Sequence, residues 1–240
     1  MSAQATTFQR SEQVAEGTME FHFAKPNGFQ FRAGQAIDIT LLNPPETDAE
    51  GNTRGFSIVS APDESDLAIA TRMRDTAFKR SLRFMKAGTE VQLDGPFGSL
   101  TLHKNAEKPA VFLAGGIGIT PFMSILRDAA SKQLPHRLFL FYANRRPEDA
   151  PFLEELRSLH QKNHRFLAVP TMSRLERSPQ PWAGETGRIS AQMLSRHVES
   201  LQGPIFYIAG PPGMVAALRT MLSGAGVDED DIRTEEFAGY

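Results

Sequence analysis

The sequence predicts a two-domain protein, in which an all-β domain (residues 1–105) precedes an α/β domain (residues 106–240). Three observations support this fold class. The first part carries short strand-like runs divided by turn sequences, a pattern typical of a β-barrel or sandwich. In the second part, strands alternate with amphipathic helices, which is typical of a mainly parallel sheet. Two loops rich in glycine and proline also follow predicted strands there.

The elements can be assigned in chain order. The strand candidates of the first part are Ala36–Leu42, Gly55–Val59, Leu67–Met73 and Glu90–Leu93, separated by turns such as Asn43-Pro44-Pro45. Those of the second part are Pro109–Ala114, Leu138–Tyr142, Phe166–Thr171, Ile205–Ala209 and Ile232–Glu236. Helices are predicted at Pro121–Lys132, Asp149–Gln161, Ser190–His197 and Met214–Ala225. Right-handed crossovers would place these helices on both faces of the sheet.

Composition excludes several functional classes. The 240 residues carry a formal net charge of −2 and include no cysteine, so a disulfide framework, a Cys-ligated zinc site and a cysteine-held iron–sulfur cluster are excluded. The charge balance gives no reason to expect binding to nucleic acid or to an anionic membrane. Met1–Gln13 lacks the apolar core of a signal peptide, and no apolar run approaches the ~20 residues of a membrane helix, so a soluble, cytoplasmic protein is expected. His160 and His164 lack the glutamate of a zinc-binding H-E-x-x-H helix, and no metal site is predicted.

The first glycine-rich loop, residues 115–121, lies between a predicted strand and a predicted helix. Gly116 and Gly118 would let the backbone approach a phosphate, and the following helix N-terminus offers free N–H groups. Thr120 suits the N-cap and Pro121 the first helical position, although Pro121 stands where the dinucleotide fingerprint has its third glycine. The simpler alternative is a turn that only joins strand to helix. A second loop, Gly210-Pro211-Pro212-Gly213, ends another strand at the same sheet edge, and together the loops predict a nucleotide site.

Six motifs occur in the order found in one family of flavoenzymes. They are Ala33-Gly34-Gln35, Arg54-Gly55-Phe56-Ser57, Lys79-Arg80-Ser81-Leu82, Gly95-Pro96-Phe97-Gly98, Gly116-x-Gly118-x-x-Pro121 and Tyr207–Met214. Because all six motifs occur in this order, the chain resembles the ferredoxin–NADP reductase superfamily over nearly its whole length. The resemblance implies an antiparallel six-stranded Greek-key β-barrel that binds FAD, followed by a Rossmann-like domain with a parallel five-stranded sheet that binds the nicotinamide nucleotide.

The resemblance also implies an activity. A hydride would pass between NAD(P)H and flavin N5, and single electrons between the flavin and a separate carrier such as ferredoxin or flavodoxin, because a hydride carries two electrons and an iron–sulfur partner accepts one. Two alternatives remain open at this point: a diaphorase-like reductase of free flavin or small molecules, and a non-catalytic nucleotide-binding subunit of a redox complex.

The same resemblance assigns roles to individual residues. Arg54 would grip the flavin pyrophosphate, Ser57 would hydrogen-bond near N5, and Phe56, beside Gly55, would pack on the flavin ring; phenylalanine instead of the family's tyrosine leaves FAD versus FMN open. The phosphate-binding stretch is expected to include Arg72, Lys79, Arg80 and Ser81. At the C-terminus, Glu235 would lie near N5 and Phe237 would cover the flavin, or Tyr240 would stack on the adenine.

Nucleotide preference is expected to depend on the segment after the third parallel strand. Ser173, Arg174 and Arg177 fit the residues that NADP-specific members use for the 2′-phosphate, since a phosphate dianion favours arginine donors. Two solvated arginines on a surface loop are the alternative. Residues 72–86 carry six Lys or Arg opposed only by Asp75, a composition expected to attract an acidic electron-carrier protein.

Overall fold

The computed structural model describes residues 3–237. Its first half is a six-stranded antiparallel sheet with strand order β4-β3-β6-β1-β2-β5, and the six strands confirm the expected number. They are β1 (Gln4–Ala15), β2 (Thr18–Ala24), β3 (Ala36–Leu41), β4 (Thr53–Ser57), β5 (Asp66–Arg72) and β6 (Glu90–Phe97). The edge strands β4 and β5 approach each other just beyond the end of β4, where Ile58 and Ile69 form an antiparallel bridge and Val59 N–H donates to the carbonyl of Ala68 at 2.8 Å.

Aromatic side chains fill the core of this sheet. Phe8 from β1 contacts Phe21 and Phe23 from β2, with ring centroids 6.3 and 5.8 Å apart. A seven-residue helix, α1 (Ala77–Arg83), adds Phe78 and Leu82 to the same core. Thr76 caps this helix, because its side chain accepts a hydrogen bond from the backbone N–H of Lys79.

The second half is a parallel sheet with strand order β10-β9-β8-β7-β11-β12. The strands are β7 (Ala110–Gly115), β8 (Leu138–Asn144), β9 (Phe166–Met172), β10 (Glu185–Thr186), β11 (Ile205–Gly210) and β12 (Ile232–Glu236). The five predicted strands are confirmed. The sheet has six strands rather than five, because the two-residue β10 extends one edge.

Helices cover both faces of the parallel sheet, as predicted. They are α2 (Thr120–Ser131), α3 (Leu153–Lys162), α4 (Ala191–Ser195) and α5 (Pro212–Gly224). One face packs Phe112 and Tyr207 against Phe122 of α2, and the other packs Phe206 against α4 and α5. No helix within residues 3–237 has the length and apolarity needed to span a membrane.

Polar contacts join the two halves. The hydroxyl of Ser124, on α2, donates to the carbonyl of Ser60 at 2.7 Å. Arg127, also on α2, reaches the carboxylate of Glu20 on β2 at 3.3 Å and makes a two-pronged ion pair with Glu155 on α3 at 2.7 and 2.8 Å. Glu20 is buried and Arg127 is largely buried, so this contact ties the half with the parallel sheet to the half with the antiparallel, barrel-like sheet.

The chain between the halves is also held in place. The backbone N–H of His103 donates to the hydroxyl of Tyr207 at 2.9 Å, and the imidazole Nδ1 lies 2.8 Å from the same oxygen. His136 Nε2 lies 2.9 Å from the carbonyl of His103, and Arg233 donates to the carbonyl of Thr101 at 3.0 Å. The connecting segment is therefore bound to the parallel sheet. The domain division at residue 105, which lies in it, stays a prediction.

Candidate flavin and nucleotide site

A cavity of about 520 Å³ lies where β7, β8, β9 and β11 end. In the strand order, β8 lies on one side of β7 and β11 on the other, so the topology reverses at β7. This is the place where open α/β sheets bind their ligands. The cavity is lined by Arg72, Arg74, Gly115, Gly116, Ile117, Ala143, Asn144, Arg145, Ser173, Gly187, Arg188, Ile189, Pro211, Gly213, Met214, Ala217 and Leu218. The two predicted loops therefore do meet at one sheet edge.

The first loop turns more tightly than the sequence indicates. Residues Gly116–Ile119 form a 3₁₀ turn before α2 begins at Thr120. The prediction of Thr120 as N-cap is wrong, because Thr120 is itself helical and its hydroxyl donates to the carbonyl of Ile117 at 3.0 Å. Pro121 follows in the first turn of the helix, close to its predicted place.

Gly118 allows the two loops to touch. A Cβ on Gly118 would lie 2.2 Å from the carbonyl oxygen of Ala209 and 2.7 Å from the backbone nitrogen of Gly210. Gly210 in turn packs against Gly115. A Cβ on Gly210 would lie 3.2 Å from both the Cα and the backbone nitrogen of Gly115. Pro212, the second proline of this loop, starts α5. The absence of side chains at these glycines thus allows the two loops to contact each other, and it would also allow a phosphate to come close to the backbone.

Polar and cationic side chains line the cavity, and only some of them were predicted. Ser173 lies in it, with its hydroxyl donating to the carbonyl of Asn144 at 3.2 Å. Arg145 and Arg188 line it as well and were not predicted. Arg145 directly follows the last residue of β8, so its position at the carboxyl end of a strand was a usable signal.

Arg174 and Arg177 line a separate, smaller cavity of about 260 Å³. Arg145 lines both cavities, so the two are adjacent. Arg177 is exposed and lies 3.8 Å from the Glu176 carboxylate. The structure therefore places Ser173 in the main cavity and the two predicted arginines beside it.

On the barrel side, two buried hydroxyls lack partners. Ser57 at the end of β4 and Ser81 on α1 are 4% and 9% exposed, and neither Oγ has a hydrogen-bond partner within the described chain. Buried hydroxyls normally find a partner. Both serines were predicted to contact the flavin, so the unpartnered hydroxyls fit that group. Phe56, next to Ser57 in β4, has its ring centroid 5.9 Å from that of Phe78 on α1.

The predicted phosphate-binding cations are engaged within the protein. Arg54 pairs with Glu50 at 2.8 Å, donates to backbone carbonyls of the turn 50–53, and lies over the Phe78 ring. Arg80 makes a two-pronged pair with Glu46 at 2.7 and 2.6 Å and a further bond with Asp75. Binding of a pyrophosphate by either guanidinium would thus require exchange of these partners.

Arg72 and Lys79 lie close to the nucleotide loop. Arg72 donates to the carbonyl of Asp149 at 3.3 Å, and its guanidinium faces Gly116, where a Cβ would lie 3.5 Å away. The Lys79 ammonium donates to the carbonyl of Arg72 at 2.7 Å. Burial lowers the pKa of Lys79, and the neighbouring Arg74 lowers it further. On the barrel sheet, Gly55 faces Asp38, whose carboxylate would lie 3.0 Å from a Cβ at that position.

The last described residues run beside the second loop. In β12, Glu235 pairs in register with Ala209, and the backbone N–H of Phe237 donates to the carbonyl of Gly210 at 3.0 Å. Burial raises the pKa of Glu235, which favours its neutral, proton-carrying form. Tyr240, the other aromatic candidate, lies outside the described residues.

The comparisons with known proteins agree with this geometry. Residues 112–220 match the family model described as the oxidoreductase NAD-binding domain. A protein of Sorangium cellulosum named ferredoxin–NADP reductase B is 30% identical over 91% of this chain and 90% of its own length. The reductase component of propane 2-monooxygenase from Mycolicibacterium smegmatis is 28% identical over 89% of this chain, which spans 61% of that longer protein.

The fold has solved counterparts. A ferredoxin NADP⁺ reductase from Neisseria gonorrhoeae, solved with bound FAD and NADP, superposes with a TM-score of 0.80 over 98% of this chain and 99% of its own, at 22% identity. The relative from Sorangium, similar over nearly its full length, and the matching two-sheet architecture give the same answer as the six ordered motifs. The chain therefore belongs to the ferredoxin–NADP reductase superfamily, the oxidoreductases that couple FAD to a nicotinamide nucleotide.

Proposed function

We propose that this chain is a reductase that uses FAD, prefers NADPH and exchanges single electrons with a separate acidic carrier such as ferredoxin or flavodoxin. The observation that carries the proposal is the cavity at the β7/β11 switch point, in which a phosphate-type glycine loop faces Ser173, Arg145 and Arg188. FAD bound in the barrel would take up two electrons together from a nicotinamide and release them one at a time.

The chain's own residues would hold the reacting groups in position. Ser57 has a buried hydroxyl with a free hydrogen-bonding capacity at the end of β4, which suits it to donate to the flavin ring. Glu235 holds a proton more tightly than an exposed glutamate, because burial raises its pKa, so it suits the role of a proton reservoir beside Ala209. Phe56 and Phe237 would supply the apolar contacts of the flavin ring, and Ser81 a hydrogen bond to a phosphate.

Preference for NADPH would come from three arginines. Arg145 and Arg188 lie in the main cavity with Ser173, and Arg174 lies in the adjacent cavity that shares Arg145. A phosphate dianion is bound better by guanidinium forks than by solvent, whereas the ribose hydroxyl of NADH offers no charge to pair.

Substitution of these arginines tests the assignment. We expect Arg145→Gln and Arg188→Gln each to raise the KM for NADPH by about tenfold or more, since a hydrogen bond to a charged group contributes about 1.5–3 kcal/mol, while the KM for NADH stays the same. Arg157→Gln, on the exposed side of α3, is the matched control. Equal losses with NADPH and NADH would remove the 2′-phosphate assignment.

The proposed docking surface for the carrier surrounds α1. Phe84, at the C-cap of α1, is 77% exposed, and Arg83 and Lys86 flank it in sequence. An exposed aromatic ring within a cationic surface suits an acidic protein, because complementary charge accelerates encounter and the ring adds contact area.

Electron transfer to ferredoxin and flavodoxin tests this surface. The rate is expected to fall as salt is added and to fall on Arg83→Glu or Lys86→Glu, with Lys162→Glu on α3 as the control. NADPH oxidation with an artificial acceptor should not change in any of these variants. Rates insensitive to salt and charge would contradict the docking surface. If the protein reduces free flavin rapidly but reduces neither ferredoxin nor flavodoxin, its acceptor is a small molecule rather than a carrier protein.

A further inference from the structure

A second cavity, of about 690 Å³, lies between the barrel half and α3 and shares no lining residue with the nucleotide cavity. Its charge is strongly negative. Two guanidiniums, of Arg10 and Arg127, face six carboxylates, those of Glu12, Glu20, Glu64, Glu148, Glu154 and Glu155. A cavity of this charge attracts cations, and the proposed reductase activity does not use it.

Strand pairing brings three potential metal ligands together at the barrel side of this cavity. In the antiparallel ladder of β1 and β2, Glu12 is paired with Glu20 and Arg10 with His22. Residues two apart on a strand project to the same face, so Glu20 and His22 lie side by side with Glu12 opposite. One ligand atom from each of Glu12, Glu20 and His22 lies within 4.8 Å of the others.

The imidazole is the feature that points to an ion. His22 is 6% exposed, and its Nε2 has no hydrogen-bond partner in the described structure. This nitrogen lies 3.3 Å from Glu12 Oε1 and 3.9 Å from Glu20 Oε2. Tetrahedral zinc with bonds of about 2.0–2.1 Å holds its ligand atoms about 3.3 Å apart. The first distance already has this value, the second requires a small closing movement, and the two carboxylate oxygens, which lie within 4.8 Å of each other, must also close to it.

We propose that Glu12, Glu20 and His22 form a binding site for a divalent transition-metal ion of the Zn²⁺ class, with water from the cavity as the fourth ligand. Two carboxylates and one neutral imidazole balance the charge of a divalent ion. A set of nitrogen and carboxylate ligands with a water position is typical of zinc.

The surroundings supply the support that such a site needs. A metal-bound imidazole usually donates its other N–H to a carboxylate, and Asp66 Oδ2 lies 3.7 Å from His22 Nδ1. Arg127 holds Glu20 through Oε1 at 3.3 Å, while Oε2 is the oxygen nearest to Nε2. The ion would thus add a cross-strand tie directly beside the contact between the two halves.

Arg10 is the internal competitor of the ion. Its guanidinium pairs with Glu12 at 2.6 Å and lies 3.1 Å from His22 Nδ1. The side chain is half exposed and also lies 3.9 Å from Asp66, so it has solvent and a second carboxylate to move toward. Ion binding therefore requires Arg10 to release Glu12 and His22, and removal of Arg10 should strengthen binding.

The test is a zinc titration of the purified 240-residue protein after treatment with a chelator, with bound metal measured by elemental analysis after gel filtration. We expect about one equivalent of Zn²⁺ and a rise in the thermal midpoint. His22→Gln and Glu12→Gln should each weaken binding at least tenfold, and Asp66→Asn should weaken it by about ten- to a hundredfold. Arg10→Gln should tighten it several-fold.

His164→Gln is the matched control, because an exposed histidine near His160 is the obvious place for adventitious zinc. Absence of bound zinc in the wild type overturns the proposal, and so does binding that survives both His22→Gln and Glu12→Gln. If His22→Gln fails to fold, as judged by circular dichroism, Glu12→Gln and Arg10→Gln decide, since a metal site requires them to shift the affinity in opposite directions. All of these readouts are independent of NADPH oxidation, so their failure leaves the proposed function intact.

Discussion

Substitution of Gly118 by alanine tests the contact between the two nucleotide loops most directly. The new Cβ would lie 2.2 Å from the carbonyl oxygen of Ala209, 2.5 Å from its carbonyl carbon and 2.7 Å from the nitrogen of Gly210. All three neighbours are backbone atoms, so no side chain can rotate away. To reach ordinary van der Waals separation, the loop and the end of β11 must part by about 1 Å. Overpacking of this kind costs about 1–3 kcal/mol, and the rigid neighbours favour the upper end.

The assay is unfolding in urea followed by circular dichroism, together with the Kd for NADPH. With an m-value of about 3 kcal/mol/M, we expect Gly118→Ala to lower the unfolding midpoint by up to about 1 M. The Kd should rise at least tenfold, because both loops line the cavity. Gly224→Ala is the matched control: no atom lies within 4 Å of that Cβ, and alanine at the end of α5 should change stability by less than about 1 kcal/mol. If Gly118→Ala unfolds and binds NADPH like Gly224→Ala, the close approach of the loops is refuted.

Three further predictions follow from buried or half-buried polar groups. Ser57→Ala should leave the stability of the flavin-free protein unchanged, since its hydroxyl has no partner there, but should weaken flavin binding by about two- to tenfold, measured by fluorescence titration. Tyr207→Phe should lower the free energy of unfolding by about 1–3 kcal/mol, because the N–H of His103 loses its acceptor at 2.9 Å; a urea midpoint equal to the wild type would contradict this. Burial raises the pKa of Glu235 above 4.5, so the native state binds this proton more tightly than the unfolded state does. The stability that the group contributes is therefore fully present below pH 4.5 and is lost as the pH rises through the raised pKa. Glu235→Gln should reduce this loss in urea unfolding measured from pH 4 to 8, and an unchanged pH profile would show that Glu235 is not its source.

The fold was predictable wherever burial follows a simple period. The strands of the parallel sheet are buried on both faces and appear as continuous apolar runs, such as Ala110–Gly115 and Ile205–Gly210. By contrast, neither β1 nor β2 was located in the sequence. In β2 the buried polar residues Glu20 and His22 interrupt the apolar pattern. The strand β10 was not predicted, because its two residues, Glu185 and Thr186, are polar and give no apolar pattern.

The candidate site was predictable in its loops and less so in its cations. Glycine and proline mark the backbone locally, so both loops could be placed at one sheet edge. Which arginine reaches the cavity depends on side-chain direction at the strand ends, and this is a tertiary property. Arg174 follows the predicted motif yet lines the smaller cavity, whereas Arg188 reaches the main one from the segment after β10. The ion-pair partners of Arg54 and Arg80 could not be predicted either, since Glu50 and Glu46 lie in a long turn with no periodic pattern.

The binding of the connecting segment to the parallel sheet restricts how the molecule can move. With this segment fixed to the parallel sheet, hinge bending between the halves would strain the contact between Arg127 and Glu20 and break the buried hydrogen bond from Ser124 to the carbonyl of Ser60. These contacts therefore oppose a change in the angle between the halves. In the proposed reductase, a nicotinamide ring would gain access by local rearrangement around Phe237, on the faster time scale of side chains and loops. Turnover should consequently be insensitive to solvent viscosity, which slows rigid-body domain closure.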